Sequence, residues 1–68
     1  MELNVKAVKG VMMAKGFNVA SLARAAGLAP ATVNLYINHG AKPRLDNMGK
    51  LARALGVDPF DLVKEDAK

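Results

Sequence analysis

The chain has 68 residues, no cysteine, about half of its residues apolar and a formal charge of +4, so neither a disulfide framework nor a thiolate metal site is available to it. Three aromatics (Phe17, Tyr36, Phe60) leave the core to Leu, Val, Met and twelve alanines, a composition that favours helices with close crossings. No apolar run nears the roughly 20 residues of a membrane span and no signal-peptide pattern opens the chain, so the sequence predicts one soluble, cytoplasmic, all-α domain over residues 1–68.

The first helix is expected from Val5 to Lys15. Asn4 caps it, Val5, Val8 and Met12 recur at helical spacing, and Gly16 stops it. Gly10 inside it costs about 1 kcal/mol relative to alanine. Asn18 caps a second helix, Val19 to Ala26, with Phe17 as a hydrophobic staple and Gly27 as its stop. Pro30 suits the first turn of a third helix, Pro30 to Asn38, because the N–H it lacks is not needed there; Ala29 is a poor cap for it. His39-Gly-Ala-Lys-Pro-Arg44 is a basic loop of helix-breaking residues. A fourth helix, Leu45 to Leu55, places Leu45, Met48, Leu51, Ala52 and Leu55 on one face before Gly56. Asp58-Pro59-Phe60-Asp61 then reads as the start of a short fifth helix to about Lys64, with residues 65–68 fraying. The methionines at 12, 13 and 48 read as core filler.

Within this plan Ala23, Gly27 and Val33 lie four and then six residues apart. A small residue lets a second helix cross closely, a glycine takes the left-handed conformation that ends the first, and a branched apolar residue pins the second onto it. That is the spacing of a helix-turn-helix over about residues 19–38.

Charge is distributed unevenly. From Leu3 to Val57 eight basic residues (Lys6, Lys9, Lys15, Arg24, Lys42, Arg44, Lys50, Arg53) face one acid, Asp46, whereas Asp58 to Lys68 holds four acids and two lysines. A basic body with an acidic end suits a polyanion on one face; charge alone fits equally the plain solubility of a small domain.

The pattern Leu22-Ala23, Gly27-Leu28, Val33, Asn38-His-Gly40, Pro43, Leu45, Leu51-Ala52, Leu55-Gly56-Val57 and Leu62 resembles the phage Cro and lambda-repressor (XRE) type of helix-turn-helix domain over nearly the whole chain. The resemblance implies a compact five-helix, lambda-repressor-like fold with the motif formed by helices 2 and 3. It further implies a bacterial or phage-encoded, nucleoid-associated regulator that binds double-stranded DNA sequence-specifically, most often as a repressor of phage, plasmid or mobile-element type. A homodimer is expected at least on DNA, over a palindromic operator with half-sites roughly 34 Å apart. The alternative reading is a protein-interaction module or antitoxin using the apolar Pro30-Ala31-Leu35 surface or the C-terminal helix.

On the DNA reading the third helix enters the major groove. Asn34 is placed to bond N6 and N7 of adenine, and Ala31 and Leu35 offer apolar contact to thymine methyls, which predicts A/T-biased half-sites; Pro30 is a further base-reading candidate. Lys42 and Arg44, with Asn18, Asn38, Thr32 and His39, are the expected backbone contacts. A solvated Asn34 and a protein-facing Leu35 are the plainer alternatives. Phe60, Leu62 and Val63 are candidate dimer contacts that equally complete a monomer core. His39 has no metal-ligating partner at useful spacing, no catalytic constellation or glycine-rich phosphate loop is present, and no cofactor or small-molecule ligand is expected.

One departure concerns stability. Family members commonly carry an arginine at the position of Met12 and a glutamate at that of Ile37; here both are apolar, a swap that is often neutral or stabilising when made at both ends. Met12→Arg alone is therefore expected to lower the unfolding free energy by about 3 kcal/mol or more, read from chemical denaturation; retention of wild-type stability would refute the pairing.

Overall fold

A computed structural model of the chain describes residues 2–64; the expected fraying of 65–68 lies outside the described residues. Four helices follow in order, α1 (Val5–Lys15), α2 (Val19–Ala26), α3 (Pro30–Asn38) and α4 (Leu45–Leu55), before a 3-10 turn at Pro59–Leu62. Each helix boundary has a local cause. The Asn4 side chain accepts from the Ala7 N–H at 3.1 Å. Asn18 and Ser21 form a reciprocal capping box at the start of α2, the Asn18 Oδ1 accepting from the Ser21 N–H at 2.8 Å and the Ser21 Oγ from the Asn18 N–H at 2.9 Å. Ala29 gives α3 no side-chain cap, and Pro30 opens it instead.

The turn between α2 and α3 is set by Gly27 at φ 72°. Its left-handed conformation lets the Leu28 N–H close on the Ala23 carbonyl at 2.9 Å, while Leu28 packs partly buried against the core. Ala23, Val33 and Leu22 are all fully buried, at 0% exposure, where α2 meets its neighbours. Both α3 and α4 pack on α2; the residues they bury are Val33, Tyr36 and Ile37 on α3 and Met48, Leu51, Ala52 and Leu55 on α4. Met12 and Ile37 both join this core. Among the described residues no buried side chain is charged, and the buried Tyr36 has its hydroxyl hydrogen-bonded.

Three expectations are corrected. The fifth helix is a four-residue 3-10 turn. Val63 turns extended and forms an isolated antiparallel bridge with Leu3. The Asn4 N–H donates to the Leu62 carbonyl at 2.7 Å and the Lys64 N–H to the Glu2 carbonyl at 2.8 Å. Pairing with the N-terminal segment thus takes the backbone groups that a continuing helix would use. Leu45 is 74% exposed and lies outside the core, and Met13, expected as filler, is 79% exposed on the outer face of α1.

Gly10 has helical φ, and a Cβ added there meets nothing within 4 Å. Gly10→Ala is expected to raise stability by about 0.5–1 kcal/mol, and Gly27→Ala, forced into the left-handed region, to lower it by about 1–2 kcal/mol. Paired thermal and urea denaturation checks both signs.

Candidate nucleic-acid interface

Burying Val33, Tyr36 and Ile37 turns the opposite side of α3 outward. Pro30, Ala31, Leu35 and Asn38 are exposed there, with Asn34 and Thr32 half-buried at the edges. Leu35 keeps 49% of its surface exposed, so a large apolar side chain stands in the middle of a solvent-facing surface. The directional groups of this face are the amides of Asn34 and Asn38. They are already joined: Asn38 Nδ2 donates to Asn34 Oδ1 at 2.6 Å. Their i,i+4 spacing allowed such a contact, but sequence gave no sign of its direction, and the bond was missed.

The loop after α3 is built to hold cations outward. Gly40, at φ 72°, turns the chain back so that the Ala41 N–H closes on the Leu35 carbonyl at 3.1 Å. Pro43 is buried while Lys42 and Arg44 on either side are exposed, so the proline anchors the loop and its neighbours project. Asn47 Nδ2 donates to the Tyr36 hydroxyl at 2.7 Å, tying the first turn of α4 to α3 across this loop. Arg44 is not wholly available. Its Nε lies 3.6 Å from Asp46 Oδ1, an exposed pair, and the same carboxylate accepts from the Asn47 N–H.

At the start of α2 the capping box also limits what an anion meets. Of the four amides left without helical partners there, those of Asn18 and Ser21 are taken by each other's side chains. The N–H groups of Val19 and Ala20 and the Nδ2 of Asn18 remain for a phosphate. His39 is exposed at the C-terminal end of α3. No acid occurs between Leu3 and Leu45, so α1, α2 and α3 present no negative side chain. The described residues contain no group of three or more His, Cys, Asp or Glu side chains placed to hold a metal.

The three candidate self-contacts separate. Leu62 is 1% exposed and completes the monomer core, Val63 is half-buried at the bridge, and Phe60 is 80% exposed. Phe60 and Val63 line an apolar groove of about 300 Å³ with Leu45, Met48, Gly49 and Pro59. None of the described helices is long and apolar enough to cross a membrane.

The profile of the Cro/C1-type HTH DNA-binding domain matches residues 8–68. No curated protein matches the chain. Among solved structures, a point mutant of hydroxyethylphosphonate dioxygenase superposes at a TM-score of 0.82 with 22% identity over 100% of this chain. The chain spans 15% of that protein's length, and the likeness concerns the fold.

Lys42→Ala is expected to weaken binding to duplex DNA of any sequence and to reduce the slope of log K against log salt by about one. Asp46→Asn, which frees Arg44 by removing the carboxylate beside it, is expected to tighten binding up to ~5-fold, the worth of one exposed ion pair. Fluorescence anisotropy over a salt series reads both; an unchanged slope for Lys42→Ala would remove that residue from the interface.

Proposed function

The chain belongs to the Cro/C1-type helix-turn-helix DNA-binding family, and from that membership we propose that it is a small transcriptional repressor of phage, plasmid or mobile-element type, laying α3 in the major groove of a palindromic operator. The observation that carries this reading is the contrast between the two sides of α3. One is locked into the core by Val33, Tyr36 and Ile37; the other is open, free of acidic side chains and followed by a loop that projects Lys42 and Arg44. A rigid helix with cations beside it is what groove entry needs: phosphate contacts fix the register and the exposed face reads the bases. Asn34 supplies the hydrogen-bonded reading of adenine, and Ala31, Leu35 and Pro30 contact thymine methyls, which gives A/T-biased half-sites. Asn18, Asn38, Thr32 and His39 join Lys42 and Arg44 on the backbone.

The operator is read by two copies. The groove lined by Leu45, Met48, Gly49, Pro59, Phe60 and Val63 carries both a knob and a hole. Phe60 stands 80% exposed, and Gly49 leaves a bare stretch of α4 where an added Cβ meets nothing within 4 Å. Gly49, like Gly10, is a helix-interior glycine that costs about 0.5–1 kcal/mol, and its bare backbone lines the same groove as Phe60. A patch that is its own complement is what a two-fold interface requires. The second copy is therefore assigned to this groove, Phe60 of each protomer lying over Gly49 of the other.

The competing reading, a protein-binding module, has the exposed Leu35 in its favour. Selection from randomised duplexes followed by gel-shift titration separates the two. The repressor reading expects an enriched inverted repeat bound in a salt-sensitive manner; absence of DNA binding at low salt would overturn it. Phe60→Ser is expected to abolish the two-protomer complex on the full repeat while leaving the melting temperature and half-site binding near wild type, measured by sedimentation with labelled duplex.

A further inference from the structure

The single hydrogen bond between side chains on the outward face of α3 runs from Asn38 Nδ2 to Asn34 Oδ1 at 2.6 Å. We infer that Asn38 is a positioning residue for base reading: it fixes which way round the amide of Asn34 meets the groove, and in doing so links a backbone phosphate to the base read. The inference rests on the DNA-reading role of α3 argued above.

An asparagine side chain has two N–H donors and a carbonyl oxygen with two lone pairs. It turns about its terminal bond in a broad, roughly two-fold well, so alone it offers the groove either end. On α3 the two amides are coupled, so whatever holds Asn38 also sets Asn34. Asn38 lies one turn after Asn34, its side chain leaning back towards the preceding turn, and it donates one hydrogen to Asn34 Oδ1. Turning the Asn34 amide over would set its NH2 group against the NH2 of Asn38, two donors facing each other. The bond uses one lone pair of Asn34 Oδ1. The other lone pair and the Nδ2 hydrogens remain, an acceptor beside a donor, the pattern that matches N6–H and N7 of adenine.

Asn38 keeps one hydrogen on Nδ2. It is exposed at the end of α3, just before the loop that projects Lys42, where the groove wall presents phosphate oxygens. A phosphate only accepts, so it takes that hydrogen and holds the NH2 end of Asn38 in place. The chain phosphate, Asn38, Asn34, adenine is then satisfied at each link. It would make two neutral amides act as one directional group on a surface otherwise made of Pro30, Ala31 and Leu35.

The test reverses the polarity of one link. In Asn38→Asp the carboxylate only accepts, so it draws the Nδ2 of Asn34 and turns that amide over; in Asn38→Gln the donor is kept. Wild type and the variants Asn34→Ala, Asn38→Asp, Asn38→Gln and the double variant Asn34→Ala/Asn38→Asp are each used to select from a duplex library of about two helical turns, randomised throughout, with binding to every single-base change in the enriched site then measured. Ratios between duplexes cancel the general loss that an added negative charge brings. Asn34→Ala is expected to flatten the preference at one base pair per half-site. Asn38→Asp is expected to change the adenine preference at that same pair by ~10-fold or more, within the range of a bidentate contact, with other positions unaltered. Asn38→Gln is expected to preserve it, and the double variant to match Asn34→Ala alone. If Asn34→Ala flattens one position while Asn38→Asp weakens all duplexes equally, Asn38 is a backbone contact only and the inference fails with the reading intact. If Asn34→Ala flattens no position, the base-reading role of Asn34 fails, and the inference with it.

Discussion

Ala23 carries one methyl group, and that methyl is fully buried where α2 meets its neighbours. Helix axes in contact lie about 8–10 Å apart depending on the side chains between them. A single small residue at this point therefore sets how deeply α3 and α4 seat on α2. Gly27 and Leu28 act on the same contact from the other side, because the Leu28 N–H closes on the carbonyl of Ala23 itself. One residue thus supplies both the close surface and the anchor of the turn. A larger side chain there would lift α3 and swing its outer face, so the position of Asn34, Leu35 and the following loop is inherited from a contact on the opposite side of the helix.

The core is built from apolar side chains among the described residues, with the Tyr36 hydroxyl at its edge. Apolar packing is non-directional, so orientation has to come from elsewhere. It comes from a few polar ties at the edges. Asn47 joins α4 to Tyr36 on α3, Asn18 and Ser21 fix where α2 begins, and the Leu3–Val63 bridge closes the two ends of the chain on each other. Each tie lies at a helix terminus or a chain end. On the inner faces of the helices Tyr36 alone carries a hydrogen-bonding group, its hydroxyl at the edge of the core, and the remaining polar side chains lie towards solvent.

The four helices were legible in sequence because each carries its own punctuation: Asn4 and Gly16, Asn18 and Gly27, Pro30 at the start of α3, Gly56 at the end of α4. Such signals act over a few residues and need no knowledge of the rest of the chain. The C-terminal turn was misread for the opposite reason. Asp58 and Pro59 do start a helical turn, but its length is decided by Leu3 and Asn4 at the far end of the sequence. Met13 and Leu45 show the limit of periodicity: each falls beside the apolar stripe of its helix, and only the packed neighbours determine where the stripe ends. The face of α3 was legible as a set of residues, whereas the bond between its two asparagines was not, since spacing permits a contact without stating donor and acceptor.

A face with only two amides for directional bonds sets a problem of selectivity. A good base contact discriminates by about 1–3 kcal/mol, while specific DNA binding typically exceeds non-specific binding by about 4–10 kcal/mol. The cations of the Lys42 loop do not close this gap, because phosphate contacts carry no sequence information. Two routes remain open to a chain with this surface, and each asks for rigidity. One is to stop the Asn34 amide from reading in two orientations, the role proposed for its bond to Asn38 within a protomer. The other is to require two half-sites at once at a fixed separation, so that every base contact counts twice and a wrong spacing is rejected by geometry. The second route works only if the groove around Gly49 and Phe60 holds the protomers in one relative position. A flexible link between them would raise affinity through local concentration but would let α3 reach half-sites at many spacings. The proposed seating of Phe60 over bare helix therefore belongs to the reading of sequence as much as Asn34 does.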